Sequence, residues 1–108
     1  MKTISQALAD KVHYPISRGY IETVCVERQL DGEGEFTYSV SQQDSFKGAL
    51  ADCLYSLVQA VNFSESDKSV GNLTDEQRKL ILRLANNIYG EIGEPLKDDG
   101  KPIVYIGG

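Results

Sequence analysis

ALADCLYSLVQAV, residues 49–61, is the least polar stretch of the chain, and its reading decides the fold. Placed at 100° per residue with its flanks, it forms an apolar arc of about 200° running through Phe46, Leu50, Cys53, Leu54, Leu57 and Val61. A helix resting on one layer needs a stripe of only about 100°, so this one is covered on two sides. Ser41 or Asp44 can cap its start, and Asn62 suits a left-handed end. The spacing therefore predicts a central helix to about Val61, roughly 27 to 30 Å long, along which other helices pack. Leu50, Cys53, Leu54 and Leu57 read as intramolecular core. The margins of the arc, Ala49 and Ala60 on one side and Ala51, Tyr55 and Val58 on the other, are the candidates for a partner.

Helical signals lie on both sides of this element. Thr3-Ile4-Ser5-Gln6 is a capping box, followed by Ile4, Ala7, Leu8 and Val12 at helical spacing, and Pro15 disfavours continuation at Tyr14. A first helix over 4–13 follows. Ser17 can cap a second reaching about Leu30, with Ile21, Val24 and Cys25 inward. Here the β-branched Thr23, Val24 and Val26, together with Gly19 and an Arg28 beside the stripe, leave a strand open as well. Asp31-Gly32-Glu33-Gly34 is loop chemistry. Over 35–41 the pattern alternates, with Phe36, Tyr38 and Val40 on one side, which predicts a short strand or an extended arm. Residues 62–73 read as a long loop. Thr74-Asp75-Glu76-Gln77 is a second capping box, opening a helix to Tyr89 that Gly90 ends. Its expected core stripe is Leu80, Ile81, Leu84, Ala85 and Ile88, with Leu82 and Tyr89 beyond the edge. Six glycines and prolines make 91–108 non-helical, with an apolar run at 103–106 suited to a strand.

The expected architecture is a mainly α single domain. About four helices form a bundle over 1–95, and 96–108 is a non-helical tail. Composition agrees: 108 residues, 41% hydrophobic and 25% charged, are enough for one core and argue against disorder. A formal charge of −5 repels phosphate backbones and anionic membranes, so nucleic acid and membrane partners are disfavoured. Arg78, Lys79 and Arg83 are the local exception, read as a solvated helix face. Cys25 and Cys53 lack metal or redox spacing and read as small core hydrophobes; with no signal peptide they point to a reducing, cytoplasmic compartment.

No catalytic set emerges. His13 is the only histidine, so one chain builds neither a histidine metal cluster nor a dyad. Asp31, Glu33 and Glu35 begin like a calcium loop, but Phe36 stands where the sharp-turn glycine belongs and Gln42 where the bidentate glutamate belongs. The glycines from 90 onward follow a helix end and make no phosphate cradle. The expectation is a protein with no catalytic residues, cofactor or metal. Its candidate partner contacts are Ala51, Tyr55, Val58, Leu82, Tyr89, Ile103 and Tyr105, at helix edges and in the tail.

YPIS at 14–17, ERQLD at 27–31, ALADCLYSLV at 49–58, the serine-rich loop after it and LANNIYGEIGEP at 84–95 together resemble the small helical head-to-tail connector, or head-completion adaptor, proteins of tailed phages and prophages. The resemblance covers roughly residues 1 to 95 and rests on helical patterns plus a few polar positions. Relatives with this pattern carry a glycine-rich stretch in the long loop, whereas here that loop has only Gly71. The resemblance implies a helical bundle without catalytic residues whose copies assemble into a ring under a portal. It therefore implies a homo-oligomer, portal and tail proteins as partners, and a place in the virion. The alternative class is a small cytosolic regulatory module that docks a partner helix or peptide on the same surface.

Overall fold

The computed structural model describes residues 1–14, 16–63 and 74–97. It is mainly helical, with α1 over Ile4–Val12, α2 over Arg18–Glu27, α3 over Tyr38–Ser41, α4 over Asp44–Phe63 and α5 over Asp75–Glu91. The mainly α bundle expected from the sequence is thus the observed fold, with five helices among the described residues, one of them the single turn α3. The expected loop over 62–73 lies outside the described residues from position 64 on, as does the expected strand at 103–106. Among the described residues no helix is long and apolar enough to cross a membrane.

Both capping boxes form. Thr3 accepts from the backbone N–H of Gln6 while the Gln6 side chain accepts from the Thr3 N–H, and Thr74 and Gln77 repeat the pattern. The first turn of α1 is satisfied further by the acidic loop, since Ile4 N–H donates to the Gly34 carbonyl at 2.9 Å and Ser5 N–H to that of Gly32 at 3.0 Å. Ser17 caps α2 and settles the open choice at 18–30 in favour of a helix ending at Glu27.

That helix closes in a Schellman motif. Leu30 N–H donates to Cys25 C=O at 2.7 Å and Gln29 N–H to Val26 C=O at 3.0 Å, which holds Gln29 at φ 60°. A side chain with a Cβ is strained there, whereas glycine is not. Gln29→Gly is expected to raise stability by about 0.5 to 1 kcal/mol, read as a higher urea midpoint at unchanged m-value. An unchanged or lowered midpoint would contradict this account of the turn.

Three expectations need correction. Residues 35–41 are not an extended segment: after a single antiparallel bridge between Thr3 and Glu35, Thr37 caps the one-turn helix α3 by accepting from Val40 N–H at 3.2 Å. Tyr38 is consequently exposed, while Phe36 and Val40 pack partly buried against the core, the Phe36 ring 5.1 Å from that of Phe46. Gly90 does not end α5, nor does Asn62 end α4. Helix α5 runs on to Glu91, and Gly93, at φ 80°, supplies the left-handed turn. Finally, the inward face of α5 is rotated. Arg78, Ile81, Ala85 and Tyr89 are buried, while Leu80 and Leu84 are 48% and 45% exposed.

The rotation has a packing cause. Helices α4 and α5 form the most extensive contact of the bundle, and the small Ala85 lets their backbones approach. The same rotation turns Tyr89 toward a polar group in α4. It also removes Arg78 from the solvated face expected for it: the side chain is buried, with its guanidinium 3.5 Å from Asp75, whereas Lys79 and Arg83 are exposed.

Candidate functional site

Where the rotated face of α5 meets the middle of α4, four polar side chains from four segments converge. Arg28, the C-cap of α2, directs its guanidinium over α4. Its Nε donates to Asp52 Oδ2 at 2.8 Å and its Nη2 to Asp52 Oδ1 at 3.0 Å. The outer edge of the same group donates to Glu94, at 2.5 Å from Nη1 and 3.0 Å from Nη2. Tyr89 completes the set, its hydroxyl donating to Asp52 Oδ1 at 2.6 Å. Four of the five guanidinium N–H groups are thereby engaged with two carboxylates.

Gly48, one turn before Asp52 on α4, makes the arrangement possible. A Cβ there would lie 2.5 Å from Arg28 Cζ and Nη1, so the guanidinium occupies the space a side chain would fill. Glycine in a helix interior costs roughly 1 kcal/mol against alanine, and the clamp offsets that cost.

Glu94 reaches the clamp because the chain folds back after α5. Gly93 N–H donates to Gly90 C=O at 3.3 Å and Glu94 N–H to Tyr89 C=O at 2.8 Å, a second Schellman motif. The Asn86 side chain then takes both backbone groups of Lys97, accepting from its N–H at 2.8 Å and donating to its carbonyl at 2.9 Å. The Lys97 ammonium lies 5.1 Å from the centre of the Tyr89 ring, in cation–π range.

The electrostatics follow from this geometry. Hydrogen bonds donated to Glu94 and, next, to Asp52 raise the Arg28 pKa beyond its already high value, so the group stays charged. Burial first, and donation to Asp52 second, push the Tyr89 phenol up and keep it a neutral donor. The Arg28 guanidinium draws the Glu94 carboxyl below the ordinary glutamate range. With nearly all its donors engaged and its side chain only 20% exposed, the guanidinium acts as a strut joining α2, α4, α5 and the segment after it.

Other features offer less. Burial pushes the Cys53 thiol up to about 12, and that of Cys25 also rises; both are buried and free, in keeping with core packing. Asp31 and Glu33 form a turn in which Asp31 Oδ1 accepts from Glu33 N–H at 3.1 Å. Among the described residues no three His, Cys, Asp or Glu side chains are grouped to hold a metal. Clefts of about 220 Å³ beside Ile16 and Ile21 and about 200 Å³ beside Phe46 and Ile88 fall below the ~300 Å³ at which small-molecule sites begin.

The expected partner contacts fare unevenly. Ala51, Val58 and Tyr89 are fully buried by their own chain, as is Ala49, because α4 is covered by α1, α2 and α5. They present no surface to a partner in this fold. Tyr55 and Leu82 pack partly buried against the core, and Ile103 and Tyr105 lie outside the described residues. Among the described residues the exposed large apolar side chains are instead Leu80 and Leu84 on α5, Tyr20 and Val26 on α2, Tyr38 on α3, Met1 and Leu96. Arg28, Gly48, Asp52 and Glu94 were not among the candidates. Their traces in the sequence are an arginine beside an apolar stripe, and a glycine and an aspartate four apart in the most apolar helix.

A model of a protein family described as a family of unknown function, DUF6706, matches residues 2–105. The chain belongs to the DUF6706 family. The matched range takes in all four clamp residues and Gly48, so the clamp lies wholly inside the DUF6706 domain. No curated protein and no solved structure gives a significant match to the chain.

Proposed function

We propose that this DUF6706 chain is a non-enzymatic structural protein, similar to a prophage head-to-tail connector, that self-associates and docks between a portal and a tail. The observation that carries the reading is the outward placement of Leu80 and Leu84, one turn apart on α5 and nearly half exposed. The opposite face of that helix is committed to α4, so this apolar row is left for another molecule. The clamp supports a structural role, since its charged groups are engaged with one another and fix the helices. The resemblance in 14–17, 27–31, 49–58 and 84–95 supports the class of assembly and, with it, a place in the virion for a protein made in the cytoplasm.

The test is light-scattering mass across a concentration series, alone and with a portal protein encoded beside the gene. Association is expected, with Leu80→Ser/Leu84→Ser weakening it at least about tenfold. A wild-type chain that stays monomeric and ignores the portal would sink the proposal. Failure to form rings alone would not, because a ring can require the portal as template. Neighbouring metabolic or regulatory genes in place of portal, capsid and tail genes would favour the small partner-binding module instead.

A further inference from the structure

We propose that residues 92–97 are an exchangeable arm. When copies of this chain stand side by side, the arm of one leaves its own clamp and sets its Glu94 on Arg28 of the next copy. The inference rests on the self-association proposed above and names the element that would link the copies.

Three observations carry it. The first is how the arm is held. Its attachments are polar: the Glu94 carboxylate on the Arg28 fork, the Asn86 amide on the Lys97 backbone, and the Lys97 ammonium over the Tyr89 ring. Ile92 stays on the helix side of the hinge, and beyond it the one large aliphatic side chain among the described residues, Leu96, remains 64% exposed. Little hydrophobic free energy opposes lifting the arm, and a neighbouring copy would give Leu96 the cover it lacks.

The second is the hinge. Fold-back depends on Gly93 at φ 80°, a conformation that glycine adopts readily and that a change of one or two dihedrals undoes. A short tight turn between a domain and an arm is the geometry from which segment exchange arises.

The third is the vacancy that opening creates. With Glu94 withdrawn, Asp52 still holds Nε and one Nη2 proton, while the outer edge of the guanidinium loses its acceptor beside Gly48. That edge is a planar fork built for a carboxylate. The arm of a second copy replaces the side-chain contacts of the first, because Arg28, Asn86 and Tyr89 all precede the hinge, while the two backbone bonds of the fold-back turn are given up. Within one chain the arm's effective concentration is on the order of millimolar, so an isolated copy at micromolar concentration stays closed. Exchange is then confined to copies already packed together. Since each copy gives an arm and receives one, the exchange closes either as a reciprocal pair or head to tail, and the head-to-tail form is the type of contact that closes into rings.

The test removes fold-back without touching the clamp. Proline cannot adopt positive φ, so Gly93→Pro forbids closure. At low micromolar concentration the wild type is expected to sediment as a monomer and Gly93→Pro as dimers or larger species. Gly93→Pro/Glu94→Gln should return to monomer. A Gly93→Pro chain that stays monomeric up to about 1 mM, or one whose association is unchanged by Glu94→Gln, overturns the proposal. Should Gly93→Pro misfold, Asn86→Cys/Lys97→Cys is oxidised in the portal-bound assembly. Disulfides between copies are expected there, and disulfides confined within single copies overturn the exchange. If the wild type assembles on a portal while that variant locks only within copies, the exchange fails and the connector reading stands. If Gly93→Pro associates through Glu94 but the wild type ignores the portal, the reverse holds.

Discussion

Tyr89→Ala is expected to cost about 3 to 5 kcal/mol, the range for truncating a large buried aromatic. The ring is fully buried between α4 and α5, so truncation leaves a cavity that rigid helices fill poorly. It also deprives Asp52 of a donor at 2.6 Å and removes the surface over which Lys97 sits. Against a typical total of about 5 to 15 kcal/mol, such a loss brings the domain close to unfolding at 37 °C. Tyr89→Phe separates the contributions: it keeps the packing and loses only the hydrogen bond to a charged group, for about 1.5 kcal/mol. Urea midpoints with a common m-value give both numbers. If Tyr89→Ala costs less than about 1 kcal/mol, the residue is not where the packing places it.

Asp52→Ala is expected to cost about 2 to 3 kcal/mol, less than the 3 to 5 typical of breaking a fully buried pair. The discount has a physical source: Arg28 and Asp52 are 20% and 22% exposed, and Glu94 still neutralises the guanidinium after Asp52 is gone. What remains uncompensated is the inner edge of Arg28 and the buried Tyr89 hydroxyl.

Glu94 gives the same cluster a pH dependence of definite sign. Its carboxyl is held below the ordinary value of 4.5 by Arg28, so its contribution is fully present above that value. It is lost as the pH falls below 4.5 through the depressed folded-state pKa. In Glu94→Gln, stability should fall less steeply on acidification through this window. An identical acid limb in the two proteins would remove Glu94 from the account. The size of the effect is limited by solvent and salt, since Glu94 is the most exposed member of the set.

How far these features were legible in the chain depended on the distance over which their causes act. The capping boxes at Thr3 and Thr74 involve residues three apart, and both were read correctly. Ser17 operates over the same range, and it decided α2 against the β-branched residues that favoured a strand. Over 35–41 a local rule also misled. Alternation at Phe36, Tyr38 and Val40 fits an extended segment, yet the Thr37 hydroxyl three residues before Val40 N–H made one turn of helix instead. The end of α5 was misplaced for a related reason. Two glycines stood near it, and which one takes positive φ depends on the fold-back that follows.

The clamp belongs to a different range altogether. Arg28 lies 24 residues from Asp52 and 66 from Glu94, and no periodicity joins them. By propensity alone Gly48 is unfavourable in a helix, and its use appears only when a guanidinium from another helix fills the space. The inward face of α5 was equally out of reach. Its apolar residues cover more than half the helix circumference, so several rotations bury a similar area. Ala85 against α4 and the Tyr89 hydroxyl seeking Asp52 select among them.

By itself, then, the sequence determined the helical class, the capped starts of α1, α2 and α5, and the central place of α4, because backbone satisfaction and apolar periodicity operate within a few residues. Only the tertiary structure decided which side of α5 faces inward, which apolar side chains are left outside, and that Arg28, Asp52, Tyr89 and Glu94 meet. Those outcomes depend on how surfaces far apart in the chain fit one another. A buried charge shows its partners only once the helices that carry them have packed.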